Sequence, residues 1–340
     1  MRVLLTGGLG FIGSHTVRHW LDNTDWEIVV LDSLRHAGDP QRLLKVAKGA
    51  DLSRVDVFYH DLRAPIHENL IKDIGHIDVI VNAAADSHVD RSIADPVPFV
   101  QNNVAIALHA LEYARVIEPE MFVQVSTDEV YGPAPAGVSH TEEDALAPSN
   151  PYSASKAAQE HIAYSYWRTY GVPVITTRTM NNFGEYQHPE KYVAMVVRKL
   201  AAGEPVTIHA RPLQDNADPT DAREWESGSR VWLHASNHAD AIRFLIERGS
   251  PPTYASGQKQ LVMNIAGEEE VSNLGIVHKA AAILDIPPQY QMVDFHSSRP
   301  GHDLRYSLTN DKLRDAGWKQ PLDFTSSFER TVRAIYDEIS

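Results

Sequence analysis

Arg2-Val-Leu-Leu-Thr-Gly7-Gly-Leu-Gly10-Phe-Ile-Gly13 opens the chain, and Glu27-Ile-Val-Val-Leu-Asp32 follows shortly after. Arg2 to Leu5 is a short apolar run of strand length. Gly7, Gly10 and Gly13 recur at spacing three and three, and a helical pattern runs from Ser14 to Leu21. Glu27 to Leu31 reads as a second strand, closed by Asp32. Strand, glycine turn, helix, strand and an acid about 20 residues on make up the full context of a dinucleotide-binding fingerprint. Gly7 permits the tight turn, Gly10 lets backbone approach a pyrophosphate, and Gly13 lets helix pack on strand. The helix then presents free N–H groups and its positive dipole end to the phosphates. Asp32 would accept hydrogen bonds from the adenosine ribose. A carboxylate there repels a 2′-phosphate, which favours NAD over NADP, with Arg35 as the signal on the other side.

The alternation continues outward. Val55–Tyr59, Val79–Val81, Met121–Val125 and Pro173–Arg178 read as further strands, and Phe99–Val116 and Tyr152–Tyr170 as helices. Strands alternating with helices predict an α/β fold, a Rossmann-type doubly wound parallel sheet with a smaller C-terminal α/β substrate domain. The expected division is residues 1–178 for the first unit, with 233–262 returning to it, and 179–232 with 263–340 for the second. Later elements are a helix from Asn237 to Arg248, a strand Leu261–Ile265, a helix capped by Ser272, a helix over Thr309–Ala316 stopped by Gly317, and a last helix with Ser326 and Glu329 at capping-box spacing.

The chain has 340 residues and a formal net charge of -14, against which a duplex-binding role is not expected. An anionic nucleotide remains compatible, because backbone N–H groups and a few basic side chains suffice to hold it. With no cysteine, disulfides and thiol catalysis are excluded, and a reducing compartment fits. The N-terminus enters a strand with no apolar region before a cleavage site, so no signal peptide is expected. No apolar run approaches the roughly 20 residues of a membrane span.

Two constellations carry candidate chemistry. Ser126-Thr127-Asp128-Glu129-Val130-Tyr131-Gly132 follows a predicted strand, and chemistry in parallel sheets gathers past the carboxyl ends of strands. Adjacent acids share a direction only where the backbone turns, and Gly132-Pro133 marks such a turn. Crowded carboxylates split their pKa values, which gives one acid and one base. The alternative is a solvated acidic loop. Tyr152 and Lys156 lie four apart on one helical face. A lysine beside a tyrosine lowers the phenol's pKa, as does an oxidised nicotinamide, so Tyr152 is a candidate base. A solvated helix face is the alternative there.

Thr6-Gly-Gly-Leu-Gly-Phe-Ile-Gly13, Asn82-Ala-Ala-Ala-Asp-Ser-His-Val-Asp-Arg-Ser92, Ser126-Thr-Asp-Glu-Val-Tyr-Gly132 and Tyr152-Ser-Ala-Ser-Lys156 together resemble the extended short-chain dehydrogenase/reductase family. More narrowly, they resemble its nucleoside-diphosphate-glucose 4,6-dehydratases, over nearly the whole chain. The Thr-Asp-Glu triplet is the specific part, since related epimerases and decarboxylases lack the acid pair. The resemblance implies NAD as cofactor and a nucleoside-diphosphate hexose, dTDP-glucose first, as substrate. It implies C4 oxidation by Tyr152 with Lys156 and Thr127, removal of the C5 proton by Glu129, protonation of the leaving C6 hydroxyl by Asp128, and hydride return to C6. For the cofactor it implies Gly7, Gly10, Phe11, Ile12, Gly13, Asp32, Ser33, Asp61, Leu62, Ala83, Ala84, Ala85, Asn102, Tyr152 and Lys156. For the sugar nucleotide it implies Ser87, His88, Asn181, Asn182 and Lys191, with Arg230, Asn264, Arg299 and His302 at diphosphate and ribose. A cytoplasmic homodimer through helices near 100–116 and 152–170 is expected on the same ground.

The sequence departs from that family at Asp86 (Glu is usual), His209 (Tyr) and Val231 (Asp), and in an extra acidic loop over 213–227. These surround the expected nucleotide pocket and leave base and hexose open. Trp225 is either a lid over the base or an anchor of its loop. The i,i+4 pairs His15/His19 and His234/His238 have metal-ligand spacing but no evident third ligand, and no metal site is expected. Two further readings stay open: a sugar-nucleotide 4-epimerase or decarboxylase, and a non-catalytic NAD-sensing binding protein.

Overall fold

The computed structural model describes residues 1–340 except 36, 250, 252 and 296–302. Six strands arise in chain order: β1 (Arg2–Thr6), β2 (Glu27–Asp32), β3 (Val55–Tyr59), β4 (Val79–Asn82), β5 (Met121–Thr127) and β6 (Val174–Thr179). With the strand Leu261–Ile265 they form one seven-stranded sheet in the order Leu261–Ile265, β6, β5, β4, β1, β2, β3. Every pairing in it is parallel. Such strands are covered on both faces, which is why β1, β2 and β4 are near-continuous Val/Ile/Leu runs rather than alternating ones and why β5 and β6 are buried along their whole length. β3, with only one neighbour, is mostly exposed.

Helices Phe11–Asn23 and Ala235–Glu247 pack on each other and close one face around Val3, Leu5, Val30, Val81 and Val123. Helices Pro96–Ile117 and Pro151–Tyr170 close the other over Leu4, Val29, Ile80 and Phe122. A separate core joins helices Tyr192–Ala201, Asn273–Leu284 and Phe324–Ile339 to the strands Val206–Pro212 and Tyr290–Asp294. The predicted α/β doubly wound sheet with a smaller α/β unit is therefore the architecture.

Three expectations are corrected. A return segment stopping at 262 would cut the strand Leu261–Ile265, which pairs along its length with β6 and lies whole in the large sheet. The last helix is capped by Asp323, whose carboxylate accepts from the backbone N–H of Ser326 at 2.9 Å. A carboxylate at that position satisfies an orphan N–H and sits at the positive end of the dipole. The helix at 309–316 is also shorter than expected, spanning Asp311–Asp315. Ser272 does cap its helix, accepting from Gly275 at 3.0 Å.

The strand order reverses between β1 and β4. In such sheets the crevice at the carboxyl ends, where the order switches, holds the ligand.

Candidate active site

Gly7 follows β1 and Ala83 follows β4, so the glycine turn and the small-residue segment meet at the switch point. Gly7 has φ +72°, and an added Cβ would lie 3.0 Å from Ala84 Cα. At Gly13 an added Cβ would lie 2.2 Å from the Gly7 carbonyl oxygen, so only glycine lets this helix start so close to its strand. Thr6 Oγ accepts from the backbone N–H of Ala83 and Ala84 at 3.1 and 3.0 Å, tying the two segments together. Asp32 ends β2 with one carboxylate oxygen accepting from Leu9 N–H at 3.0 Å and the other from Leu34 N–H at 2.9 Å.

These segments border a cleft of about 710 Å³. It is lined by Gly7, Gly10, Phe11, Ile12 and Gly13, by Asp32, Ser33, Asp61 and Leu62, and by Ala83, Ala84, Ala85, Asn102, Tyr152 and Lys156. All the residues assigned to the cofactor from sequence thus line one cleft. A flat dinucleotide fits what is there: a cradle that a Cβ would fill, small residues past β4, and an acid at the end of β2.

The same cleft continues to Thr127, Asp128 and Glu129, and on to Ser87, His88, Asn181, Asn182 and Lys191. β5 ends at Thr127, and Asp128–Tyr131 form one 3-10 turn closed by Gly132 at φ +79°. That turn brings both carboxylates to the cleft. Thr127 Oγ1 donates to Asp128 Oδ1 at 2.8 Å, and Asp128 Oδ2 is buried with no partner among the described residues. Burial first, and then the charge of Glu129, push the Asp128 carboxyl up to about 7, against the Thr127 hydrogen bond. Asn150 Nδ2 donates to Glu129 Oε2 at 3.2 Å. Two adjacent carboxyls in unlike surroundings can act as acid and base.

Tyr152 and Lys156 lie in the first turns of helix Pro151–Tyr170, which starts in a capping box of Asn150 and Ser153. The expected lowering of the Tyr152 pKa does not follow from Lys156. Burial first, then the charges of Glu129 and Asp128, push this phenol up, opposed by its hydrogen bond with Thr127. Lys156 Nζ instead donates to Val125 O at 2.7 Å and to Gln159 Oε1 at 2.6 Å, and burial brings it down to about 8 against the pull of Glu160. The cleft mouth is bridged from both sides: Lys191 Nζ donates to Ser87 O at 3.1 Å, and His88 and Arg91 both reach Glu190.

Not every predicted residue arrives. Asn264 is fully buried away from the cleft, accepting from Tyr131 Oη at 2.9 Å and donating to His140 O at 3.2 Å. Arg230 does not line the cleft: its guanidinium donates to the carbonyls of Ser229, Asp303 and Leu304 and lies over the Tyr306 ring, 4.5 Å from its centroid. Arg299 and His302 lie outside the described residues. Trp225 anchors its loop, donating to Asp218 O at 2.8 Å within a hairpin formed by Val206–Pro212 and Trp225–Ser227. Of the histidine pairs, His15 bonds to Glu185 O, His19 to Asp240 and His234 to Glu185, while His238 is buried without a partner among the described residues. Gln187, Tyr192 and Trp232 line the cleft and were not assigned from sequence; Gln187 sits within the 181–191 segment, which was the available signal. Among the described residues, no helix is long and apolar enough to cross a membrane.

A model of the NAD dependent epimerase/dehydratase family matches residues 3–266. A dTDP-glucose 4,6-dehydratase of Salmonella typhimurium is 34% identical over 98% of this chain and 92% of its own length. DesIV, a dTDP-glucose 4,6-dehydratase from Streptomyces venezuelae solved with NAD and TYD bound, superposes with a TM-score of 0.83 at 36% identity, covering 99% of this chain and 97% of that one. A Thermus thermophilus UDP-glucose 4-epimerase in complex with NAD superposes with a TM-score of 0.82 at 29% identity, covering 98% of this chain and 99% of that one.

Proposed function

The chain belongs to the NAD dependent epimerase/dehydratase family, and from that premise we propose that it removes water from a nucleoside-diphosphate hexose, dTDP-glucose first, to give the 4-keto-6-deoxy sugar. NAD, when bound, would store the hydride released at C4, return it at C6, and in its oxidised form add positive charge beside Tyr152. Tyr152 Oη takes the proton of the C4 hydroxyl, with the hydroxyl of Thr127 and the ammonium of Lys156 holding the developing phenolate. The C4 ketone acidifies C5–H, and Glu129 takes that proton. Asp128 gives its proton to the departing C6 hydroxyl, which leaves as water, and the proton held by Glu129 returns to C5 as C6 is reduced. Ser87, His88, Asn181, Asn182 and Lys191 would hold the sugar nucleotide, and Asn182 Oδ1, buried without a partner among the described residues, is an acceptor for it.

The observation that carries this reading is Asp128, buried and held protonated to about 7 beside Glu129 in the same cleft as Tyr152. Hydride exchange at C4 alone has no need of an acid at C6. A cytoplasmic homodimer belongs to the same proposal; Leu108, Val116, Tyr164 and Tyr170 are large apolar side chains left exposed on the two helices concerned. So does the division into a cofactor unit, residues 1–178 with the return segment, and a substrate unit.

The test is incubation of the purified protein with dTDP-, UDP-, GDP- and CDP-hexoses without added NAD, read by mass spectrometry. Loss of one water from dTDP-glucose supports the proposal. Unchanged mass for every sugar, even with NAD supplied, overturns it. Asp128→Asn separates dehydratase from epimerase: elimination should fall by about 100-fold or more while nicotinamide reduction persists, whereas an epimerase would be almost unaffected.

A further inference from the structure

Lys156 is held by a partner that the reaction scheme does not name. Its ammonium has three N–H groups. Two are taken, by Val125 O at 2.7 Å and Gln159 Oε1 at 2.6 Å, while Lys156 itself lines the cleft. Gln159 lies one turn further along helix Pro151–Tyr170 and is fully buried. Its orientation is forced, because an ammonium can face only the oxygen end of an amide. The nitrogen end then donates to Asn103 O at 2.6 Å.

The ordering propagates. Gln124 Nε2 donates to the same Gln159 oxygen at 3.2 Å, and Gln124 Oε1 accepts from Asn82 Nδ2 at 3.0 Å. Asn82 Oδ1 accepts from Thr6 Oγ1 at 2.8 Å, and Thr6 is the residue that ties the glycine turn to Ala83 and Ala84. Thr6, Asn82, Gln124 and Gln159 are all buried. A fully satisfied buried chain of this kind fixes side-chain geometry closely. It runs from the cofactor cradle to the ammonium.

We propose that Gln159 is a positioning residue for Lys156, whose side-chain oxygen turns the remaining ammonium N–H toward the cleft. The inference rests on the reading above, in which Lys156 works beside Tyr152. The choice of a neutral amide has a consequence. An amide fixes the direction of the ammonium without neutralising it, so the charge stays available to the phenolate. A carboxylate would hold the charge to itself. The ionisable groups around Lys156 are Glu160 on its own helix, paired with Arg178 of β6, and Tyr152, Asp128 and Glu129 in the cleft.

The experiment uses the protein as purified, carrying Gln159→Leu or Gln159→Glu. The Lys156 ammonium is titrated by NMR with labelled lysine, its signal assigned from a Lys156→Met sample. Loss of the acceptor should lower the Lys156 midpoint by about one unit, and the carboxylate should raise it by about one unit or more. In both variants kcat for dehydration should fall by about tenfold or more, with KM for the nucleotide sugar within about threefold. A lowered midpoint in Gln159→Leu together with the fall in kcat supports the proposal, since a role in packing alone moves neither, while the rise in Gln159→Glu follows from its charge and serves as the control. A midpoint unchanged in Gln159→Leu overturns it. Should Gln159→Leu fail to fold, Gln159→Met takes its place, removing the acceptor at nearly equal length, and an unchanged midpoint and kcat there overturn the proposal. The titration needs no substrate, so it stands even where no nucleotide sugar is dehydrated and the functional reading fails.

Discussion

Asp128 is the residue at which stability and chemistry oppose each other. Its carboxyl is raised to about 7 from an ordinary 3.8, by burial first and by Glu129 second. The acid needed at C6 is therefore present below about 7 and lost above it. Elimination should fall as pH rises through that value, and a pH profile of the dehydration step checks it. The same shift acts on folding. Below about 3.8, folded and unfolded chains both hold the proton. As pH rises toward about 7 the unfolded chain ionises while the folded one retains its proton, so stability falls across that window. The penalty is on the order of a few kcal/mol. Asparagine removes it. Asp128→Asn should melt above the parent protein at about pH 8 and level with it below about 3.8. Equal melting at both values would mean that Asp128 is ionised in the folded state.

Among the elements, helix Pro151–Tyr170 carries the most function. Asn150 caps it, accepting from Ser153 N–H at 2.9 Å, and turns its amide nitrogen to Glu129. One side chain thus sets the start of the helix and the place of the proposed base. Asn150→Ala should cost about 1 kcal/mol of stability and about tenfold in dehydration rate. Asn150→Asp keeps the cap but puts a second carboxylate beside Glu129. It should restore the melting temperature and not the rate; recovery of both would show that the amide does nothing for Glu129. The strands of the large sheet and the glycine-turn helix were legible in the sequence, because strand runs and the glycine spacing are local signals, whereas the cap of the last helix was not, Asp323 taking the place expected of Ser326. The wall of the cleft that the glycine turn and β4 build was legible too. What was not legible is what long-range packing pairs. Nothing near Asn264 announces that Tyr131 and His140 will claim its amide. Nothing near Gln124 points to Gln159. Both are ordinary polar residues until the sheet brings β5 beside helix Pro151–Tyr170.

At the scale of the whole molecule, Glu185 joins parts distant in sequence. Its carboxylate accepts from His234 Nε2 at 3.1 Å and pairs with Arg330 of the last helix, while its carbonyl meets His15 of the glycine-turn helix at 2.9 Å. His234 Nδ1 accepts from the Ser236 N–H at 3.1 Å, which fixes the ring against Glu185. His15 and His238 are buried and neutral. Burial first, and then His234, bring His15 down to about 4; burial alone brings His238 to about 4. Both lie below the ordinary histidine value of 6.5. Their contribution is present above about 6.5 and is lost as pH falls toward 4, because only the unfolded chain takes up those protons. Asp128 works the other way over the same range. Counted over His15, His238 and Asp128, two protons gained on unfolding against one released leave a net uptake of about one, or about 1.4 kcal/mol lost per pH unit from these groups. The melting temperature should therefore drop steadily as pH is lowered from about 6.5 to 4.5. His238 makes no hydrogen bond among the described residues, so His238→Leu removes its titration at little cost in packing. In that variant the slope should become nearly flat, and in Asp128→Asn it should become about twice as steep. Thermal unfolding of the three proteins at intervals of pH reads all of this, and equal slopes in all three would remove buried neutral histidine as the cause of acid lability.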